Sequence, residues 1–98
     1  MNSRVRVSEQ VEGFVKGLAP DPKKALRAGI KGLARSGKNT RWLEGELAGW
    51  QRLRVGEFRV IYTEVFAGGE RILDCVFANR RSVVYDLFKE LLRSTLMS

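Results

Sequence analysis

The chain has 98 residues, 44% of them hydrophobic and 30% charged, with a formal net charge of +7 and a sequence pI near 10.2. That length and composition fit one folded domain over residues 1–98 with a single core, and the charge points to an anionic partner: nucleic acid, an acidic protein or an anionic membrane surface. With no histidine and one cysteine, Cys75, the usual zinc ligand sets and histidine-based triads are excluded, so no metal or cofactor is expected.

Arg4 to Val7 reads as an opening strand with Val5 and Val7 on one face. Ser8 suits the N-cap of a helix over about Glu9 to Leu18, where Val11, Phe14, Val15 and Leu18 share a stripe. Ala19-Pro20-Asp21-Pro22 breaks that helix. Asp21 can cap a second one, with Pro22 at its first position, running to about Arg35 and stopping by Gly37. Leu26, Ile30, Leu33 and Ala34 face inward, while Lys23, Lys24, Arg27, Lys31 and Arg35 form a solvated face. Gly29 and Gly32 weaken this helix by roughly 1 kcal/mol each relative to Ala, and their small size suits close packing against the first helix. Thr40 to Trp50 reads as a loop or irregular strand anchored by Trp42, Leu43 and Leu47.

Gln51 to Tyr62, QRLRVGEFRVIY, reads as a hairpin. Its turn is Gly56-Glu57, with glycine first as a type II′ turn prefers. The implied register sets Val55 opposite Phe58, Arg54 opposite Arg59 and Arg52 opposite Ile61. Leu53, Val55, Phe58, Val60 and Tyr62 then share one face, and Arg52, Arg54, Arg59 and Ile61 the other. Opposed like charges destabilise a bare sheet, so an arginine face of this kind suits an anion, and phosphate matches the guanidinium fork.

Ala67-Gly68-Gly69-Glu70 is a second turn, and Ile72 to Ala78 the next strand, with Leu73, Cys75 and Phe77 on one face. Cys75 reads as a buried structural thiol. Ser82 to about Arg93 is an amphipathic helix with Val84, Leu87, Phe88, Leu91 and Leu92 on its apolar stripe. The expected fold is α+β, order βααβββα, with two N-terminal helices and a C-terminal helix around a small, mostly antiparallel sheet. If the last strand pairs beside Phe58 to Val65, then Arg80 or Arg81, together with Tyr85, approaches the arginine face.

The run GWQRLRVGEFRVIY, followed by an apolar strand and then NRRSVVY, resembles the RelE/ParE superfamily of toxins from toxin–antitoxin modules. Leu43-Glu44-Gly45-Glu46-Leu47 is similar to the family's segment before the hairpin. The resemblance implies a RelE-like fold and one of two activities. RelE-like members are ribosome-dependent endoribonucleases that cut mRNA in the decoding site; ParE-like members inhibit DNA gyrase and generally lack the catalytic set. Arg52, Arg54, Arg59, Arg81 and Tyr85 match the positions of the RelE-like site. The chain departs from the pattern in having Arg80 within NRR where many relatives carry histidine, and arginines where some carry lysines.

The resemblance therefore implies Arg59, Arg81 and Tyr85 as catalytic, and Arg52, Arg54 and Arg80 as RNA- and phosphate-binding. Arginine is a poor base because it stays protonated, which leaves Tyr85 as the better candidate for proton acceptor. The expected partners are the ribosome with its mRNA, or gyrase in the alternative, and a neutralising antitoxin that wraps the toxin. No apolar stretch approaches the roughly 18–20 residues of a membrane span, and MNSRVRVSEQ has no apolar signal core, so a cytoplasmic protein is expected.

Overall fold

Ser8 is the junction on which the N-terminal half turns. The structure, a computed structural model, describes residues 2–97. Ser8 ends the first strand, β1 (Asn2–Val7), and caps the first helix, α1 (Glu9–Lys16), by accepting the Val11 N–H at 3.2 Å. The second helix, α2 (Pro20–Gly32), begins earlier than expected. Pro20 takes the first helical position after Ala19, which offers no side-chain cap, and Asp21 lies in the first turn, where its charge suits the helix dipole. The helix also ends earlier, at Gly32 rather than Arg35. The Leu33 N–H closes onto the Ile30 carbonyl, a tighter turn just past Gly32, whose helix propensity is poor.

Four further strands complete the sheet: β2 (Thr40–Trp42), β3 (Gln51–Val55), β4 (Phe58–Ala67) and β5 (Glu70–Arg80). The order across it is β1-β5-β4-β3-β2; β1 lies parallel to β5 and every other pair is antiparallel. The segment expected as a loop or irregular strand thus opens with a short edge strand, so the observed order gains one strand over the expected βααβββα.

The sheet buries both faces. On one side α1 and α2 cover Leu53, Val60, Tyr62, Leu73 and Cys75 with Val11, Val15, Leu26 and Ile30. Phe14 meets the Phe58 ring edge-on at 5.8 Å. On the other side α3 (Val84–Met97) sets Val84 and Phe88 against Ile61, Phe77 and Leu47. Trp50 meets Phe88 edge-on at 5.0 Å. Gly29 faces Val55 of β3: a Cβ there would stand 2.7 Å from Val55 Cγ2. The close approach expected against α1 is therefore made to the sheet, and Gly32 has open space beside it.

A β-bulge overturns one facing assignment. Ile61 pairs with Phe77 but Tyr62 pairs with Cys75, which leaves Val76 between them. The extra residue breaks the two-residue alternation, so Phe77 turns to the α3 side instead of joining Leu73 and Cys75. Ser8 secures the bulge: its backbone N–H donates to the Cys75 carbonyl and its Oγ to the Val76 carbonyl, each at 2.9 Å. Beyond the end of β1, the Gln10 amide stands in for a strand neighbour. Its Nε2 donates to the Ala78 carbonyl and its Oε1 accepts the Ala78 N–H, both at 2.8 Å.

Candidate nucleic-acid interface

The hairpin has the register expected from its turn: Arg54 stands opposite Arg59, Val55 opposite Phe58 and Arg52 opposite Ile61. Gly56 has φ of 58° while Glu57 is not in the positive-φ region, which fits a type II′ turn, since type I′ needs both central residues there. Strand β2 then adds a residue that the hairpin pattern could not show. Arg41 pairs directly opposite Arg52. Asn79 of β5 stands opposite Arg59. Arg41, Arg52, Arg54 and Arg59 therefore share the sheet face opposite the α1–α2 pair, across three adjacent strands.

The backbone holds two of these guanidinium groups in place. Arg52 Nη1 donates to the Asn39 carbonyl at 2.8 Å, and the same carbonyl accepts the Arg54 backbone N–H at 2.9 Å. Asn39 adopts φ of 61°, a left-handed conformation that asparagine tolerates. Arg59 is buried, 9% exposed, and its Nη1 donates to the Gly56 and Phe58 carbonyls at 2.9 Å each. No side-chain nitrogen or oxygen among the described residues is buried without a partner, so the remaining Arg59 nitrogens still reach solvent.

The electrostatics set this face apart. Five arginines elsewhere pair with carboxylates: Arg4 with Glu70, Arg6 with Asp74, Arg71 with Glu64, Arg80 with Glu57 and Arg93 with Glu46, at 2.8–3.4 Å, whereas Arg27, Arg35 and Arg81 stand singly on the surface without one among the described residues. Arg41, Arg52, Arg54 and Arg59 have no carboxylate partner among the described residues. Partial burial pushes the Arg52 guanidinium below its ordinary pKa; Tyr85 opposes that shift, and Arg41, Arg59 and Arg54 add to it. Tyr85 packs on the cluster that holds Ile61, the residue directly opposite Arg52. It is half-buried at the start of α3.

Arg80 is not part of this face. Its register opposite Phe58 puts it on the α1–α2 side, where its guanidinium lies 5.3 Å from the Phe58 ring centroid and pairs with Glu57 at 3.1 Å. The alternation of β5 separates it from Asn79. Arg81 is exposed, and its backbone N–H donates to the Glu57 carbonyl at 2.7 Å. Glu57, Arg80, Arg81 and Ser82 line a cleft of about 210 Å³ at the hairpin turn. Of the expected anchors, Leu43 and Leu47 pack into the α3-side core but Trp42 is 62% exposed, and Trp50 takes its place. Arg41 is the site residue that the sequence reading missed. The β-favouring Thr40 and Trp42 hint at a strand, but the pairing with β3 that sets Arg41 opposite Arg52 is not written in these three residues.

Chemically, the arrangement can hold phosphoryl oxygens in charge-assisted hydrogen bonds and offers a phenol nearby. Among the described residues no cluster of His, Cys, Asp or Glu could hold a metal ion, and no helix is long and apolar enough to cross a membrane.

No protein-family model matches this sequence, and no curated protein matches it. Solved structures do. A chain of the toxin–antitoxin complex RelBE2 from Mycobacterium tuberculosis matches with a TM-score of 0.67 at 22% identity, covering 83% of this chain and 100% of that one. A YoeB/ParE toxin from Agrobacterium tumefaciens matches with a TM-score of 0.62 at 18% identity, over 83% and 99% of the two chains. A chain of the archaeal RelE–RelB complex from Pyrococcus horikoshii OT3 matches with a TM-score of 0.64 at 21% identity, over 83% and 97%. At these identities the likeness is one of fold: this chain has the α+β fold of these solved chains.

Proposed function

We propose that this protein is the toxin of a type II toxin–antitoxin module and acts as a ribosome-dependent endoribonuclease that cuts mRNA in the decoding site and so inhibits translation. The observation that carries this reading is an arginine face whose four guanidinium groups have no carboxylate partner among the described residues, with Tyr85 packed on the cluster that holds Ile61, opposite Arg52. In the cleavage step the 2′-oxygen attacks the adjacent phosphorus and the bond to the 5′-oxygen breaks. The products are a 2′,3′-cyclic phosphate and a 5′-hydroxyl. Negative charge grows on the phosphoryl oxygens, where preorganised guanidinium groups stabilise the transition state more than the ground state. Tyr85 accepts the 2′-hydroxyl proton. Arg54 and Arg59 hold the phosphoryl oxygens, and Arg81 stabilises the charge on the leaving 5′-oxygen, which takes its proton from water. With no strong base in the set, substrate alignment has to come from outside, and a ribosome supplies it. The partners in this reading are the ribosome with its mRNA and a cognate antitoxin, acidic to match a net charge of +7. The setting is the cytoplasm.

The test adds the purified protein to ribosomes programmed with a defined mRNA and maps new RNA 5′ ends. The expected result is a cut within the decoding-site codon that is lost in Arg59→Ala and Tyr85→Phe variants with unchanged circular dichroism. Absence of any cut, together with inhibition of DNA gyrase supercoiling, would replace the nuclease with a ParE-like inhibitor.

A further inference from the structure

Arg41 has no task in the reaction described above. It is exposed on the edge strand β2, and no hydrogen bond or ion pair ties its side chain to any described residue. Yet it stands directly opposite Arg52, whose own guanidinium is held to the Asn39 carbonyl. The face therefore carries two cross-strand rows, Arg41–Arg52 and Arg54–Arg59. Like charges directly opposed raise the energy of a free sheet, and here the opposition occurs twice with no carboxylate to relieve it. The rows are two residues apart along β3, about 6.6–6.8 Å, a step comparable to that between successive phosphates of an extended RNA strand.

We propose that the two rows bind two successive phosphates of one single-stranded RNA, the scissile one at Arg54–Arg59 and its 5′ neighbour at Arg41–Arg52. The polarity follows from Tyr85. The ribose that joins those phosphates carries the attacking 2′-hydroxyl, and it falls over the Arg52–Ile61 pair, where Tyr85 packs on the cluster that holds Ile61. Arg41 is then a binding residue at the 5′ end of the track. Arginine suits it because the guanidinium fork can engage two phosphate oxygens at once.

This inference rests on the nuclease reading for the word "scissile" but not for the track itself, so two measurements separate them. The first is fluorescence anisotropy of a short 5′-fluorescein single-stranded RNA, 2′-O-methylated to block cleavage, titrated with the protein over a KCl series. Arg41→Gln should lower the slope of log K against log salt by about 0.7, which weakens binding about fivefold near 0.1 M salt, and Arg41→Lys should restore most of the slope. A methylphosphonate in place of the 5′-neighbouring phosphate should weaken wild type by a similar factor and Arg41→Gln no further. The second is cleavage on programmed ribosomes, where Arg41→Gln should raise KM more than it lowers kcat. A slope unchanged in Arg41→Gln, or no RNA binding by wild type at low salt, overturns the track. A lowered slope without any cleavage by wild type leaves the track standing and overturns the nuclease. Thermal unfolding of Arg41→Gln at or above the wild-type midpoint excludes a folding defect.

Discussion

Arg54 and Arg59 stand directly opposite each other across the β3–β4 ladder, and neither has a carboxylate partner among the described residues. A sheet optimised for stability alone would place an acid at one of these positions. Arg54→Gln is therefore expected to stabilise the fold by about 0.2–1 kcal/mol while reducing RNA cleavage. Arg54 is exposed, so salt screens its repulsion. Thermal unfolding of both proteins in low salt and in 1 M KCl checks this, and the gain should shrink in high salt. A destabilised variant would mean that opposed arginines carry no strain here.

The two α2 glycines are expected to respond in opposite directions to the same substitution. Gly29→Ala puts a methyl 2.7 Å from Val55 Cγ2, and the branched valine has little freedom to move away. The clash outweighs the roughly 1 kcal/mol gain in helix propensity, so the variant should be net destabilised. Gly32→Ala meets nothing and should stabilise, by less than that full gain because Gly32 is the last helical residue. Urea unfolding of the pair, with m-values compared, tests both signs.

Phe88 is the centre of the second core, packed by Trp50 at 5.0 Å and Phe77 at 5.7 Å. Phe88→Ala should cost about 3–5 kcal/mol, enough to unfold a marginal domain. Leu96→Ala, on the same helix but 85% exposed, should stay within about 0.5 kcal/mol of wild type. Equal effects from the two would contradict a docked α3.

Burial pushes the Cys75 thiol up to about 12, with Asp74 adding to the shift. Because the folded pKa is raised, the neutral thiol favours the fold at any pH below its ordinary value near 9. That contribution is lost as pH rises from there toward about 12. Native protein at pH 8 should react with a thiol-specific disulfide reagent far more slowly than protein in denaturing urea. Replacing Cys75 by Val should flatten the alkaline decline in stability. Rapid labelling of the native protein would show that β5 opens readily.

Local pattern was enough to read the elements that depend on adjacent residues. Gly56 dictates the hairpin turn, the turn dictates its register, and two-residue alternation then places Arg54 against Arg59 before any tertiary contact exists. Ser8 as a helix cap and Leu26 and Ile30 as core were legible for the same reason. Long-range pairing decided the rest. Arg41 became a site residue only when β2 paired with β3, a contact that no property of Thr40-Arg41-Trp42 encodes alone. Phe77 changed sides because the bulge at Val76 inserts a residue, an effect set by the partner strand and by Ser8 docking on it. Arg80 left the arginine face because its register opposite Phe58 gave it the aromatic ring and Glu57 as neighbours. Tyr85 came to this side of the sheet because α3 packs across it through Val84 and Phe88. Charge, turn and periodicity are carried by residues close together in the chain. Which arginines come together depends on strand pairing and helix docking, where residues far apart in sequence gain their contacts only in the folded whole.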